Sequence, residues 1–133
     1  MNLLYSAFIR EDSEAKGFLK KVISQCNVFK REFGNVYLYI SRKDEAVLYK
    51  VEKNGLQEID TFKYNKLSVF NEESRIRKIK GFLRYNSFLE YLNEIIHLYK
   101  IDVLYLRNSY PTRKLMNILD NKKLVKILEY PTY

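Results

Sequence analysis

Strand-like and helix-like segments alternate along this chain, and that alternation constrains the fold more than any other feature of the sequence. Short apolar runs typical of buried strands occur at 2–9, 35–40, 101–106 and 124–129. Apolar residues recur every three or four positions over 15–33, 73–100 and 112–121, as on one face of an amphipathic helix. This order predicts an α/β fold with a Rossmann-like, mostly parallel sheet and helices on both faces.

The stretch between 46 and 64 departs from the alternation. Two strand-like runs, at 46–51 and 56–64, flank the pair Asn54-Gly55. That pair is typical of tight hairpin turns, because both residues tolerate positive φ. We therefore expect an antiparallel hairpin, inserted into the parallel sheet or lying at its edge.

One predicted helix contains residues that weaken it. Gly81 and the pair Asn86-Ser87 fall in the middle of the segment 73–100. Glycine, asparagine and serine are poor helix formers, so the segment is expected to form either one kinked helix or two shorter ones.

Length and charge narrow the class of protein. A chain of 133 residues suits a single domain, and its net charge of +8 favours phosphate-bearing partners such as nucleic acid, an anionic membrane surface, or phosphorylated sugars and lipids. A lysine-rich soluble surface explains the charge equally well. The single cysteine, Cys26, excludes an intrachain disulfide, and the first residues do not form a signal peptide. We expect a cytoplasmic location, including the inner face of the membrane.

In open parallel sheets, ligands bind beyond the carboxyl ends of the strands, where the strand order reverses. That rule selects the segments 10–17, 107–109 and 130–133. Gly17 lies at the start of the first predicted helix, where a glycine lets an anion approach the backbone or simply eases helix packing. Lys20 and Lys21 are placed to reach an anion there, or form a solvated helix face.

Two further charged residues end predicted strands. Arg107 directly follows the strand at 101–106, which directs it toward the ligand crevice. Glu129 ends the last strand and is a candidate to bind a hydroxyl group or to cap a loop. His97 lies within a helical stretch and Cys26 on an apolar helix face, so neither is a candidate catalytic residue. No metal site and no cofactor are predicted, and no catalytic residue is assigned.

Several motifs resemble those of a known family. Asp102 to Arg107 (DVLYLR) is similar to the "D-V-[IL]-Y-[IL]-R" strand of bacterial family-four-like glycosyltransferases, and Glu129 to Tyr133 (EYPTY) to their "E-[IY]-P-T-Y" motif. Gly17 to Val22 (GFLKKV) resembles their "G-V-x-x-K-I" helix start, with Phe18 in place of the usual valine. Gln25 falls on the glutamine of that helix.

The resemblance implies the acceptor-side half of an enzyme with two Rossmann-like domains, here a single domain over 1–133 without its donor domain. It implies sugar transfer from a nucleotide-sugar donor to a glycan or lipid-linked acceptor, with the isolated chain inactive. The predicted substrate-binding residues are Gly17, Lys20, Lys21, Arg107, Asn108, Glu129, Thr132 and Tyr133.

Two alternatives remain at this point. One is a basic nucleic-acid-binding α/β module, which the charge and the twelve Tyr and eight Phe suggest. Most of those aromatic residues fall at core-periodic positions, whereas base stacking needs exposed rings, so nucleic acid is the less favoured partner. The other is a non-catalytic interaction fragment without a ligand.

Overall fold

A single mixed sheet organises the chain. The computed structural model describes residues 1–8, 15–42, 45–64, 74–107 and 109–129. The elements are β1 (Asn2–Ala7), α1 (Ala15–Glu32), β2 (Asn35–Ser41), β3 (Glu45–Glu52), β4 (Gly55–Lys63), α2 (Ser74–Leu98), β5 (Val103–Arg107), α3 (Arg113–Leu119) and β6 (Val125–Glu129).

The strands are ordered β4-β3-β2-β1-β5-β6. The four strands β2, β1, β5 and β6 run parallel, and β3 and β4 form an antiparallel hairpin at one edge. The chain leaves β1 through α1 toward β2 on one side, whereas β5 and β6 lie on the other. The carboxyl ends of β1 and β5 therefore flank the point where the strand order reverses.

Helices cover both faces of the sheet. On one face, α1 buries Val22 and Cys26 against a cluster that includes Leu3, Tyr5 and Tyr105. On the other face, a larger cluster joins α2 and α3 to the sheet. Its fully buried members include Leu4, Tyr39, Leu48, Phe88, Leu92 and Leu104. β1 has five consecutive buried residues, as expected for a central parallel strand covered on both sides.

The predicted fold class is confirmed, because the sheet is mostly parallel, has helices on both faces and carries an antiparallel pair. Gly81 and Asn86-Ser87 do not interrupt α2, which is continuous from Ser74 to Leu98. The buried residues Tyr85, Phe88 and Leu89 lie beside the weak positions, and their packing outweighs the low helix propensity.

The hairpin is also confirmed, but its turn differs from the expectation. β3 pairs with β4 from Glu52 opposite Gly55, which leaves Lys53 and Asn54 in the turn. Gly55 has a φ of +136°, and it is the glycine that takes a positive φ among the described residues. Asn54 does not adopt a positive φ, so the turn lacks the two left-handed residues that the Asn-Gly pair predicts.

None of the helices in the described ranges combines the length and apolar character that a membrane span requires.

Candidate functional site

A cavity of about 420 Å³ opens at the carboxyl ends of the parallel strands. Six residues line it: Lys20, Lys21, Ser24, Gln25, Arg107 and Glu129. Four of them belong to α1, one ends β5 and one ends β6. The cavity therefore lies where an α/β sheet of this topology is expected to hold a ligand.

The helix α1 presents its four residues as two neighbouring pairs. Lys20 and Ser24, like Lys21 and Gln25, are four positions apart and so lie one turn apart on the same helix surface. The lysines are exposed, whereas Gln25 is partly buried. Because Val22 and Cys26 are fully buried on the opposite side of the helix, the polar surface is held toward the cavity.

Arg107 is fixed by a hydrogen-bond network at the floor of the cavity. Its Nη1 donates to Gln25 Oε1 at 3.0 Å and approaches the Tyr5 hydroxyl at 3.4 Å. The Tyr5 hydroxyl in turn donates to the same Gln25 oxygen at 2.5 Å. Side chains from β1 and α1 thus contact the guanidinium group at the end of β5. These contacts already restrict the rotamers of Arg107, so that less side-chain entropy is lost when a ligand binds.

A second contact joins the network to β6. The Tyr105 hydroxyl donates to Glu129 Oε2 at 2.5 Å, and Arg107 Nη1 lies 4.0 Å from Glu129 Oε1. Tyr5 and Tyr105 are direct partners in the β1–β5 register, and their rings stack with centroids 4.6 Å apart. The phenols therefore support both the arginine and the carboxylate from beneath.

The environment keeps the arginine charged and the phenols protonated. Burial acts to lower the pKa of Arg107, but its hydrogen bond to Tyr5 and the charge of Glu129 outweigh burial, so the pKa is raised. Burial raises the pKa of Tyr5 to about 12. Burial, together with the hydrogen bond to Glu129, also raises the pKa of Tyr105. At neutral pH Arg107 therefore keeps its positive charge, and the two phenols beneath it stay protonated.

The structure brings together four of the predicted site residues: Lys20, Lys21, Arg107 and Glu129. Gly17 lies in the first turn of α1 and does not line the cavity, and a Cβ added there would meet nothing within 4 Å. Asn108, Thr132 and Tyr133 lie outside the described residues.

Sequence reasoning missed Ser24 as a lining residue and the phenols as supports. The helical spacing from Lys20 was sufficient to find Ser24, because residues four apart share a surface. Gln25 was singled out only through the family resemblance. Tyr5 and Tyr105 look like ordinary apolar strand residues, and no sequence pattern indicates that their hydroxyls meet Gln25 and Glu129.

No protein-family model matches the chain, and no curated protein does. Among solved structures, the chain is similar to a clostripain from Bacteroides thetaiotaomicron in complex with a peptide inhibitor. The identity is 7%, the match covers 84% of this chain and 96% of that one, and the TM-score is 0.46.

Two further structures are similar. One is iotapain, a secreted C11 cysteine protease from B. thetaiotaomicron, with 9% identity, coverage of 84% of this chain and 35% of that one, and a TM-score of 0.47. The other is a B. fragilis cysteine protease, with 12% identity, coverage of 84% and 94%, and a TM-score of 0.40.

These comparisons overturn the glycosyltransferase expectation. The similar structures are cysteine proteases and not glycosyltransferases, and no family model or curated protein supports that family. A nucleotide-sugar donor, a glycan or lipid-linked acceptor, and an anionic membrane surface are likewise unsupported as partners. The motif residues have a structural reason to occur together, because Gln25, Tyr105, Arg107 and Glu129 bond to one another.

The nucleic-acid alternative is not upheld either. The comparisons give no support to nucleic-acid binding. Most described Tyr and Phe rings are buried or partly buried, and the large exposed aromatic residues are Phe82 and Tyr110.

The chain's single cysteine and single histidine do not form a catalytic pair. Cys26 is fully buried on the α1 face of the sheet, and burial raises the pKa of its thiol to about 12. His97 is exposed on α2, which packs on the opposite face. Nucleophilic cysteine catalysis needs a thiolate within reach of a base, and these two residues do not meet that requirement.

Proposed function

We propose that this chain binds a small anionic molecule, a phosphate ester or a polycarboxylate, in the cavity between α1 and the ends of β5 and β6. The observation that carries the proposal is the convergence of Lys20, Lys21 and Arg107 on one cavity at the strand-order reversal. Lysine and arginine are the side chains with which proteins bind phosphate and carboxylate groups.

The charge balance of the cavity supports an anion. Among the described residues, three cationic side chains and one carboxylate line it, which leaves two positive charges in excess when counted as three minus one. Glu129 is engaged by the Tyr105 hydroxyl and lies 4.0 Å from Arg107, so it offsets only part of the positive potential. Arg107 offers a planar, pre-oriented donor, and the exposed lysines offer mobile point charges.

The size of the cavity suits a small ligand. A volume of about 420 Å³ lies at the lower end of the range of small-molecule sites, roughly 300–1,000 Å³. The remaining lining groups, Ser24 and Gln25, are neutral hydrogen-bonding residues suited to a polar ligand body.

Binding, and not a chemical step, is what these residues support. Within the described part of the chain, no group of three His, Cys, Asp or Glu residues is placed to hold a metal ion. Among the described residues Ser24 is not hydrogen-bonded to a base, and Glu129 accepts a hydrogen bond from Tyr105. The described residues of the cavity therefore include the groups to recognise an anion, and none of them forms a nucleophile–base pair.

The proposal predicts a specific loss of binding. Replacing both Lys20 and Lys21 with alanine is expected to raise the dissociation constant for pyrophosphate or citrate about tenfold or more, because each loss removes a charge-assisted contact. Isothermal titration calorimetry of the full chain measures the dissociation constant for each anion, with inorganic phosphate as the smallest probe.

The matched control removes two other lysines. Lys122 and Lys123 are exposed and precede β6, at the opposite end of the strands from the cavity. A Lys122→Ala/Lys123→Ala variant changes the net charge by the same amount and should bind within about twofold of the unmodified chain. Equal losses in both double variants would show that the net charge, and not the cavity, attracts the anion. Absence of binding by the unmodified chain to all three probes would overturn the proposal.

A further inference from the structure

The two edges of the sheet are built differently. At one edge, β4 is a polar strand whose pairing with β3 shifts register at Leu48/Tyr49. At the other edge, β6 exposes Val125 at 54%, Ile127 at 39% and Leu128 at 38%. Polar residues and bulges protect an edge strand from pairing with another chain, and β6 has no comparable bulge.

The backbone of β6 shows which groups are available at that edge. The Val125 N–H donates to the Asp102 carbonyl at 2.9 Å, on the side of β5. In a parallel pair of strands, every second residue directs both its N–H and its C=O group toward the same neighbouring strand. The backbone groups of residues 125, 127 and 129 therefore point toward β5. Lys126 and Leu128 therefore direct their N–H and C=O groups away from β5, and among the described residues β6 is the last strand of the sheet.

We propose that β6 pairs with β6 of a second copy of this chain, antiparallel and with the two-fold axis at Ile127. In that register Lys126 of one copy faces Leu128 of the other, and the outward backbone groups of both form a reciprocal hydrogen-bonded pair. The two Ile127 side chains meet at the axis in a non-hydrogen-bonded pair, in which side chains approach most closely. The two sheets become one continuous sheet.

Charge favours a second copy of the chain as the partner of β6, paired in this register. Within Val125–Glu129, Lys126 and Glu129 carry one charge of each sign, so the strand itself is neutral and does not select a strongly acidic or basic partner. An axis at Lys126 would place two lysines directly opposite each other, which destabilises strand pairing. An axis at Ile127 is the one that pairs all five residues of β6.

The rest of the molecule opposes association at long range. Each copy carries a net charge of +8, so two copies repel, and salt screens that repulsion. Pairing through apolar residues and backbone groups is therefore expected to strengthen with salt, whereas binding of an acidic partner would weaken with salt.

Analytical ultracentrifugation of the full chain at low and high salt tests the pairing. We expect a dimer whose population rises with concentration and with salt. Ile127→Lys places two charges at the axis and should raise the dimer dissociation constant about tenfold or more. Met116 lies on α3 and is 51% exposed, so Met116→Lys adds the same charge on a helix instead of on β6 and should change the constant less than about twofold.

Cysteine cross-linking tests the register independently of any loss of stability. Residues paired at the axis have Cα atoms about 4.5 Å apart, within the roughly 4.4–6.8 Å that a disulfide spans. Ile127→Cys should therefore form a covalent dimer under mild oxidation. Val125→Cys should not, because the two copies of that residue would lie about 13 Å apart along the strands. Cys26 is fully buried and does not compete.

A monomer at both salt levels up to about 1 mM would overturn the proposal. Equal effects of Ile127→Lys and Met116→Lys would also overturn it, as would equal cross-linking of the two cysteine variants.

Discussion

The stability of this chain is expected to fall steeply as the pH rises above about 10, with complete unfolding before about pH 12. The cause is a set of buried phenols. Tyr5 and Tyr39 are fully buried and Tyr105 is 9% exposed. Burial raises the pKa of Tyr5 to about 12 and raises the pKa of Tyr39 and of Tyr105 as well.

The direction of the effect follows from the proton balance. A tyrosine in the unfolded chain has a pKa near 10, whereas a buried one holds its proton to higher pH. Below about pH 10 both states are protonated and these residues add no pH dependence. Between the two pKa values only the unfolded chain is ionised, so each such tyrosine lowers the free energy of unfolding by about 1.4 kcal/mol per pH unit. Tyr5 and Tyr39, the two that are fully buried, together give a slope of about 3 kcal/mol per pH unit.

Urea denaturation at pH values from about 9 to about 12 measures this slope. Tyr5→Phe provides the control, since it keeps the ring and removes the titrating proton. The slope of that variant should be smaller by about 1.4 kcal/mol per pH unit, although loss of the hydrogen bond to Gln25 costs about 1 kcal/mol at neutral pH. A free energy of unfolding that stays constant to about pH 12 would contradict the prediction.

The fold was accessible from sequence because its signals are local. The strands and helices follow from apolar periods within single segments, and the hairpin at β3–β4 follows from the turn residues beside Gly55. What the sequence did not determine depended on contacts between distant segments. The continuity of α2 across Asn86-Ser87 depends on the packing of Phe88 and Leu89 against the sheet. The helix propensities of the local residues do not indicate this packing.

The candidate site divides in the same way. Arg107 and Glu129 were predictable because their placement depends only on which strand each one ends. The contacts that the Tyr5 and Tyr105 hydroxyls make beneath them were not predictable. They require Tyr5 to lie beside Tyr105, a pairing that depends on the register of β1 against β5 across 100 residues of sequence.

The family resemblance failed for a related reason. Its motif residues, among them Tyr105, Arg107 and Glu129, bond to one another and hold the ends of β5 and β6 together. Residues that stabilise a strand pair can recur wherever that pair recurs, so a motif of this kind carries information about structure more than about the reaction.

Tyr39 joins the parallel sheet to α2, and its truncation should be strongly destabilising. The side chain is fully buried on β2. Its ring stacks on Phe88 with centroids 4.2 Å apart, and its hydroxyl donates to the Phe88 carbonyl at 2.8 Å. The residue therefore combines aromatic packing with a buried hydrogen bond across the interface between the sheet and its longest helix.

Tyr39→Ala is expected to lower the free energy of unfolding by about 3–5 kcal/mol, since it removes a whole ring from a closed cluster and leaves a cavity. Tyr39→Phe should cost only about 1 kcal/mol, because the ring and its stacking on Phe88 remain and only the hydroxyl contact is lost. Urea denaturation near neutral pH gives both values. Met116→Ala, at a position 51% exposed on α3, should stay within about 0.5 kcal/mol of the unmodified chain. Similar losses for Tyr39→Ala and Met116→Ala would show that α2 is not held to the sheet through Tyr39. A large loss confined to Tyr39→Ala would show that the aromatic ring supplies most of the stabilisation.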